Sequence, residues 1–306
     1  MYAFSFDLQK ALPFPILTCS TAYYKRNMYV YNLGCHDLST NSGYMYVWNE
    51  ITASRGSQEI ASCVIEHLRN RSSAKHLEHV VMFSDSCGGQ NRNIKMSLAV
   101  MHHIQSAEST IKTVDHKFMV SGHSFLPNDA DFGVVERFVH GKTIYVPEDW
   151  YNAILKSKRK KPYVVKVMDQ TEMFSTNSLE KSITRRKKNE QNDKVSWFNI
   201  QWLRYVKEQP FQIFYKESLN DDLPFLTLNI APAKKGGRLT NLNRVLIEPL
   251  FSSPQKVTAL KKRDMMDLLK FIPPVHHGFF NSLTDGTDND DNPIVNRESE
   301  AEEDDD

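Results

Sequence analysis

Residues 2–10, YAFSFDLQK, form an alternating apolar run that is typical of a β-strand, and Asp7 lies near its end. Residues 79–85, HVVMFSD, form a second apolar run that ends on Asp85. Carboxylates that are far apart in the sequence but lie at the ends of regular elements can converge into one site. Their charges repel one another unless a cation joins them. The two segments therefore predict a sheet with an acidic, metal-binding edge.

The segments around these strands show strand-like or helical spacing of apolar residues. Beyond 2–10 and 79–85, strands are predicted at 21–39, 43–51 and 109–120, and helices at 56–72, 91–107 and 129–141. The order β-β-β-α-β-α-β-α predicts an α/β fold of the RNase H-like type, with a mixed five-stranded sheet and flanking helices. In that fold the first and fourth strands lie side by side, so we expect Asp7 and Asp85 to be neighbours.

The predicted helix at 129–141 carries a third carboxylate, Glu136, towards the same edge. Phosphodiester cleavage by two metal ions needs hard oxygen ligands around ions roughly 3.5–4 Å apart. We expect two Mg²⁺ or Mn²⁺ ions, with Asp7 bridging both, Asp85 holding the first and Glu136 completing the second. Asp129 and Asp131 are rival third ligands. Asp129 shares a helical face with Glu136 and is equally suited to cap the helix.

The turn after Asp85, SCGGQNRN at 86–93, predicts phosphate contacts. Glycines let backbone N–H groups approach a phosphate at the start of a helix, and the polar residues add donors. The nucleic-acid-binding residues predicted here are Gly88, Gly89, Gln90, Asn91, Arg92 and Asn93. The GK[ST] ending of a Walker loop is missing, and a tight strand-to-helix turn explains the same residues without a ligand. His123 is a candidate for moving a proton or contacting phosphate, or a structural histidine.

Charge divides the chain into three parts. Residues 1–150 hold 13 basic and 14 acidic residues, residues 151–284 hold 24 and 12, and residues 285–306 hold one and 11. Together with the order of strands and helices, this asymmetry predicts a nuclease or integrase core at 1–145, a basic α+β extension at 146–284 and an acidic, disordered tail at 285–306. The tail is suited to screen or compete for the basic surface.

Two basic runs lie in the extension, at 156–161 and 184–194. They predict salt-dependent phosphate contacts, through Arg185, Arg186, Lys187 and Lys188 in the second run. Nuclear-import signals and solvated loops are the alternatives. The aromatic residues at 197–205 (Trp197, Phe198, Trp202 and Tyr205) are expected to be half buried in a core, with base stacking as the other interpretation.

Composition narrows the class of protein. No apolar run approaches the roughly 18 residues that cross a bilayer, and no signal segment begins the chain, so no membrane partner is expected. The four cysteines lack CxxC spacing and fit free thiols in a reducing compartment. With the basic runs, this favours a nuclear location, with the cytoplasm as the alternative. The oligomeric state is not determined, and a homo-oligomer stays open.

Five strings carry a resemblance to a known family: FDLQKALPFP, SDSCGGQNRN, GHSFLPNDADFGVVE, RRKKN followed by SWFNIQWLRY, and DLLKFIPPVHHGFF. They resemble an uncharacterised family that is abundant in insects and other invertebrates, is taken to be transposon-derived and carries an RNase H-like DDE/D nuclease domain. The resemblance runs from about residue 2 to 281. It implies that Asp7, Asp85 and Glu136 occupy the positions of the acidic triad.

Members of that family look longer at the N-terminus, with Cys/His-rich or basic segments before the first catalytic strand. Here Met1 lies only six residues before Asp7. We therefore expect either a fragment of a longer product or a chain that has lost an N-terminal zinc or basic DNA-binding module.

The leading expectation is a transposase-derived, metal-dependent polynucleotidyl transferase or endonuclease that acts on DNA. The alternative is a domesticated or relic protein that binds DNA or a protein partner without cutting. An RNA-cleaving RNase H-type enzyme ranks lower, because the sequence offers no clear feature for recognising a hybrid duplex.

Overall fold

A mixed β-sheet forms the centre of the protein. The computed structural model describes residues 1–120, 125–232 and 241–286. Within them the sheet has ten strands: β1 (Tyr2–Leu8), β2 (Leu12–Phe14), β3 (Met28–Asp37), β4 (Ser42–Asn49), β5 (His79–Ser84), β6 (Thr113–Phe118), β7 (Val164–Val167), β8 (Trp202–Val206), β9 (Gln212–Lys216) and β10 (Leu226–Asn229). A separate pair joins β11 (Val257–Thr258) to β12 (Asp285–Gly286).

The α-helices of the described residues differ widely in length. They are α1 (Ser20–Tyr23), α2 (Ser57–Ala74), α3 (Ile94–Gln105), α4 (Pro127–Val139), α5 (Pro147–Lys156), α6 (Asn177–Lys181), α7 (Ala259–Leu268) and α8 (His277–Asn281). Short 3₁₀ helices lie at Gln170–Glu172, Trp197–Asn199, Leu242–Arg244, Leu269–Phe271 and Pro274–His276.

The strand order is β10-β9-β8-β6-β5-β1-β3-β4-β7, with β2 paired to β3. β1, β3 and β4 are successively antiparallel, while β5 and β6 run parallel to β1. The predicted α/β class, a mixed sheet flanked by helices, is confirmed. The sheet is larger than the five strands predicted for the core, because strands of the extension are hydrogen-bonded to its edges.

The extension completes the sheet on both sides. β8, β9 and β10 continue it antiparallel from β6, and β7 adds a parallel strand beyond β4. An uncovered strand edge leaves a row of unpaired N–H and C=O groups. The edges of β4 and β6 thus obtain their hydrogen-bond partners from residues 164–229.

The two faces of the sheet are covered by different helices. Phe4 and Phe6 of β1 belong to the apolar core shared with α2 and α3. Ser5, Asp7 and Gln9 lie on the opposite face, since successive side chains of a strand point to opposite sides. That face is covered by α4 and α5, whose apolar residues pack with those of β3 and β4.

One predicted strand is shorter than expected. Residues 21–39 were predicted as a continuous strand region, but Ser20–Tyr23 form the short helix α1 and β3 begins at Met28. The rings of Tyr23 and Tyr24 are both exposed, so this segment does not bury one face as a strand of the sheet would. This explains the difference. From Met28 onwards nearly every residue of β3 is buried, as expected for a central strand.

Candidate active site

Asp7 and Asp85 stand at matching positions on neighbouring parallel strands. β1 and β5 pair from Tyr2 opposite Val80 to Ser5 opposite Phe83. The same register, continued by two residues, places Asp7 opposite Asp85. Adjacent strands lie about 4.8 Å apart, so the structure brings together the two carboxylates that the sequence singled out.

The electrostatics of Asp7 reflect this crowding. Burial is the largest cause of a rise in the pKa of Asp7 to about 7, and the charges of Asp85 and Asp129 contribute to the same rise. The N–H of Leu8 donates to Asp7 Oδ1 at 2.8 Å and opposes the rise. Three carboxylates therefore share a partly buried region in which negative charge is unfavourable without a cation.

Asp85 is held by the turn that follows it. Its Oδ1 accepts hydrogen bonds from the Cys87 N–H at 3.3 Å and from the Asn91 amide. Asn93 caps α3 by accepting from Met96 N–H at 3.0 Å, and its own amide donates to the Gly88 carbonyl at 2.9 Å. Asn91 and Asn93 thus orient the carboxylate and shape the turn.

The backbone donors of the turn are also largely used internally. The N–H groups of Gln90, Asn91 and Arg92 all point to the Cys87 carbonyl, at 3.3, 2.8 and 3.1 Å. Gly88 and Gly89 stand apart, since a Cβ atom on either would meet nothing within 4 Å. The turn therefore offers open space at its two glycines, next to Asp85, rather than a cradle of N–H groups at 90–92.

Helix α4 runs along β1 in the same direction. Ser5 Oγ donates to Asn128 Oδ1 at 2.6 Å, and Gln9 Nε2 donates to Glu136 Oε1 at 3.3 Å. Ser5 and Gln9 lie four residues apart along the strand, a distance of about 13 Å. Asn128 and Glu136 lie eight residues apart along the helix, a distance of about 12 Å. The rises match, so α4 is fastened to β1 on both sides of Asp7.

A glycine in β3 permits this close approach. A Cβ atom on Gly34 would lie 2.7 Å from Cε1 of the Phe132 ring and 3.3 Å from Nδ2 of Asn128. Asn128 Nδ2 also donates to the Gly34 carbonyl at 2.8 Å. The absence of a side chain at Gly34 lets α4 lie directly on the sheet, beside β1.

Asp129 and Glu136 are both candidates for the third carboxylate of the site. Asp129 Oδ2 accepts the N–H of Leu126 at 3.0 Å and so caps α4, while its charge reaches Asp7. Glu136 lies further along the helix, at Gln9, and lines a cavity of about 320 Å³ with Ile16 and neighbouring residues. Asp129 is therefore close enough to act on Asp7, whereas Glu136 lies beside Gln9, two residues further along the chain from Asp7.

Asp131, the other rival, is already fully engaged. Its Oδ2 lies 2.6 Å from His36 Nδ1, and its Oδ1 accepts from the Tyr163 hydroxyl at 2.9 Å and from Lys158 Nζ at 3.3 Å. Burial raises the pKa of Asp131, but these donors outweigh it and lower the pKa overall. Asp131 anchors α4 to β3 and to the start of the extension, and does not face Asp7.

The donor set fits a hard divalent cation in its chemistry. In Asp7, Asp85, Asp129 and Glu136 one carboxylate oxygen is held by a protein donor, and no donor to the other is found among the described residues. Mg²⁺ accepts one or two carboxylates and keeps several waters. Within the described ranges no three acidic, histidine or cysteine side chains already meet at metal-binding spacing. Asp7 and Asp85 are the two candidate ligands that the fold brings together.

The nucleic-acid contacts predicted in the extension lie away from Asp7 and Asp85. Arg186 donates to the carbonyl and side chain of Asn229, and Arg185 pairs with Glu180. The segment that includes Lys187 and Lys188 runs beside β10, five strand spacings or about 24 Å from β1. His123 lies outside the described residues, as do residues 287–306 of the predicted acidic tail.

Gln9 and Asn128 were missed by the sequence interpretation. Gln9 is buried and links Asn32 Nδ2, at 2.9 Å from its Oε1, to Glu136. Asn128 is buried and joins α4 to β1 and β3. A signal existed for Gln9, because it follows Asp7 by two residues and must share its face of the strand.

Comparison with protein-family models, with curated proteins and with solved structures finds no match to this chain. Among the described residues, no helix has both the length and the apolar character needed to span a membrane.

Proposed function

We propose that this chain is an RNase H-like, metal-dependent polynucleotidyl transferase or endonuclease that acts on DNA phosphodiesters. One observation carries this proposal: Asp7 on β1 and Asp85 directly after β5 lie close enough for the charge of Asp85 to raise the pKa of Asp7, and α4 covers the same face with Asp129 and Glu136. Such a cluster is partly buried, and the charges of Asp85 and Asp129 raise the pKa of Asp7, so the cluster is costly unless it binds metal.

The topology of the central strands supports the same assignment. The order β4-β3-β1-β5-β6 combines an antiparallel set of three strands with two parallel strands added next to β1. This is the arrangement expected of an RNase H-like core. In it the first and fourth strands meet, and the carboxylates at their ends face one helix.

Asp7 and Asp85 would hold the first ion, with Glu136 or Asp129 completing the set. A bound Mg²⁺ or Mn²⁺ supplies an activated nucleophile and stabilises charge on the leaving oxygen. The chain's own contribution is orientation. Leu8 N–H holds one oxygen of Asp7, the Asn91 amide holds one of Asp85, and Gln9 holds one of Glu136. Such outer contacts fix the remaining oxygens towards the site.

A second candidate is a binding protein that has lost the power to cut. It is favoured by the separation of Glu136 from the Asp7 and Asp85 pair, and by the lack of a preassembled three-ligand group among the described residues. An RNA-cleaving enzyme is a third candidate, distinguished by preference for a hybrid duplex.

The test is nicking of supercoiled plasmid by the full chain with Mg²⁺ or Mn²⁺. We compare the wild type with Asp85→Asn, which keeps an oxygen for the Asn91 bond but removes the charge. Asp222→Asn, a change at an exposed aspartate of the β9–β10 loop, is the matched control. Metal-dependent nicking that is lost only in Asp85→Asn supports the proposal.

The alternatives give different outcomes. Folded wild type that binds DNA without nicking it in either metal identifies the binding protein. Cleavage of an RNA–DNA hybrid in preference to plasmid identifies the RNase H-type enzyme. Nicking that persists in Asp85→Asn contradicts the assigned site.

A further inference from the structure

A groove of about 400 Å³ opens beside Asp85, at the end of the sheet where β5 and β6 finish. Its lining includes Ser86, Arg92, Phe118, Phe198, Asn199 and Gln201. Its volume falls within the range of pockets that accept small ligands. Ser86 directly follows Asp85 in the chain, so the groove adjoins the proposed cleavage site.

Arg92 is the notable cation of this groove. The residue is 9% exposed, and Nη1 donates to the Ile200 carbonyl at 3.2 Å. No carboxylate lies within ion-pairing distance of it among the described residues, although the charge of Asp85 is near enough to act on its pKa. A guanidinium carries five N–H donors. A buried guanidinium with so few partners is suited to an anion that enters the groove.

Phe198 provides an open aromatic face at the same place. Its side chain is 76% exposed although the residue lies in the short 3₁₀ helix Trp197–Asn199. The Arg92 guanidinium lies 5.2 Å from the centre of the Phe198 ring and 5.8 Å from that of Phe118. An exposed ring that is supported by a cation on one side is a platform on which a base can stack.

We propose that this groove binds one unpaired nucleotide of a DNA strand, with its phosphate on Arg92 and its base stacked on Phe198. The inference rests on the proposed function and names the form of substrate: a strand that is single or locally unpaired next to the cleaved bond. Asn199 and Gln201 carry amide donors and acceptors suited to the edge of a base. Glu217, exposed at the rim, adds an acceptor that disfavours a second phosphate there.

The test measures binding without cleavage. The full chain is titrated, in EDTA, into a single-stranded oligonucleotide that contains 2-aminopurine, whose fluorescence falls when it stacks. We expect quenching by the wild type. Phe198→Ala removes the quenching and weakens binding about 5- to 100-fold. Tyr23→Ala is the control. It removes an aromatic side chain that is 86% exposed and far from Phe198 in the sequence, and we expect it to behave as wild type.

The role of Arg92 is tested by the salt dependence of oligonucleotide binding. Arg92→Met keeps the length of the side chain but removes the charge, so the slope of log affinity against log salt falls by about 0.7. A merely structural Arg92 leaves the slope unchanged. Should Arg92→Met fail to fold, the Phe198 arm decides alone, because that exposed side chain contributes little to folding.

Four results overturn the inference: no binding by the wild type, quenching that survives Phe198→Ala, equal weakening by Tyr23→Ala, or an unchanged salt slope in folded Arg92→Met. Because no metal is present, the outcome is independent of nicking. Phe198-dependent stacking without plasmid nicking retains this site and rejects the nuclease. Nicking without stacking retains the nuclease and rejects this site.

Discussion

Gln9 donates a hydrogen bond from Nε2 to Glu136 Oε1 at 3.3 Å while its Oε1 accepts from Asn32 Nδ2 at 2.9 Å. A central strand thereby holds the carboxylate of a helix that covers the sheet. Gln9 is 3% exposed, so both bonds are shielded from water. This amide therefore orients the Glu136 carboxylate on a helix that Asn128 and Asp131 also hold to the sheet.

Replacing Gln9 by Met retains its volume and removes both bonds. We expect the free energy of unfolding to fall by about 1–3 kcal/mol, because polar partners are left unsatisfied. We also expect nicking to need more Mg²⁺, since Glu136 is no longer held. Urea unfolding and a Mg²⁺ titration of nicking measure the two effects. A folded variant with an unchanged Mg²⁺ requirement would show that Glu136 does not take part.

Gly34→Ala tests the seating of α4. The added Cβ atom would approach the Phe132 ring to 2.7 Å, so β3 and α4 must move apart. We expect a loss of about 1–3 kcal/mol in the free energy of unfolding. Gly88→Ala is the control, because its Cβ atom meets nothing within 4 Å. Equal thermal stability of the two variants would contradict the close packing.

Asp7→Asn is expected to stabilise the protein at high pH. The pKa of Asp7 rises from 3.8 to about 7 in the folded state, so the folded state binds this proton more tightly. The free energy of unfolding therefore falls as pH rises from about 4 to about 7 and stays reduced above it. The variant escapes this loss and gains about 1–3 kcal/mol at pH 8.

The comparison is made by urea unfolding at pH 4.5 and pH 8, with and without Mg²⁺. At pH 4.5 the two proteins should differ little. At pH 8 Mg²⁺ should stabilise the wild type and leave Asp7→Asn unaffected. A variant that is less stable than wild type at pH 8 would sink this account of Asp7.

Asp129 and Glu136 can be separated by their effect on pH dependence. Asp129→Asn keeps an oxygen for the Leu126 N–H but removes a charge that raises the pKa of Asp7. We expect its nicking profile to shift towards lower pH, with activity retained. Glu136→Gln should instead lower the rate at least about 100-fold if it completes the ion-binding set. The reverse pattern would assign the third ligand to Asp129.

His36 and Asp131 predict a separate pH effect on stability. The hydrogen bond to Asp131 raises the pKa of His36 above its usual 6.5, although burial acts in the opposite direction. A raised histidine pKa stabilises the fold fully below pH 6.5, and the contribution is lost as pH rises through the higher folded value. His36→Gln should therefore cost more stability at pH 5.5 than at pH 9, by about 1 kcal/mol. Equal losses at both pH values would refute the coupling.

Much of the central sheet could be predicted because its signals are local. The alternation in YAFSFDLQK assigns Phe4 and Phe6 to one face and Asp7 to the other, and the apolar run HVVMFSD indicates a buried partner strand. The proximity of Asp7 and Asp85 follows once the strand order is inferred. The third carboxylate did not follow, because helical spacing places Asp129 and Glu136 on one face without revealing which of them approaches Asp7.

The extension shows the opposite case. The sequence predicted an α+β extension, but no local pattern indicates that β8 pairs with β6 or that β7 pairs with β4. The basic run with Arg185 to Lys188 resembled part of a DNA-binding site by composition. Its position beside β10 depends on that strand pairing, and the pairing lies outside any sequence window.

By itself the sequence determined the period of each segment, and hence which side chains of β1 and α4 are buried and which are polar. Tertiary structure alone decided that Gln9 meets Glu136, that Asp129 acts on Asp7, and that Arg92 lies beneath Phe198 at the mouth of a groove. The physical reason is that periodicity follows from the geometry of one element, whereas these contacts depend on how strands 78 to 120 residues apart are registered and covered.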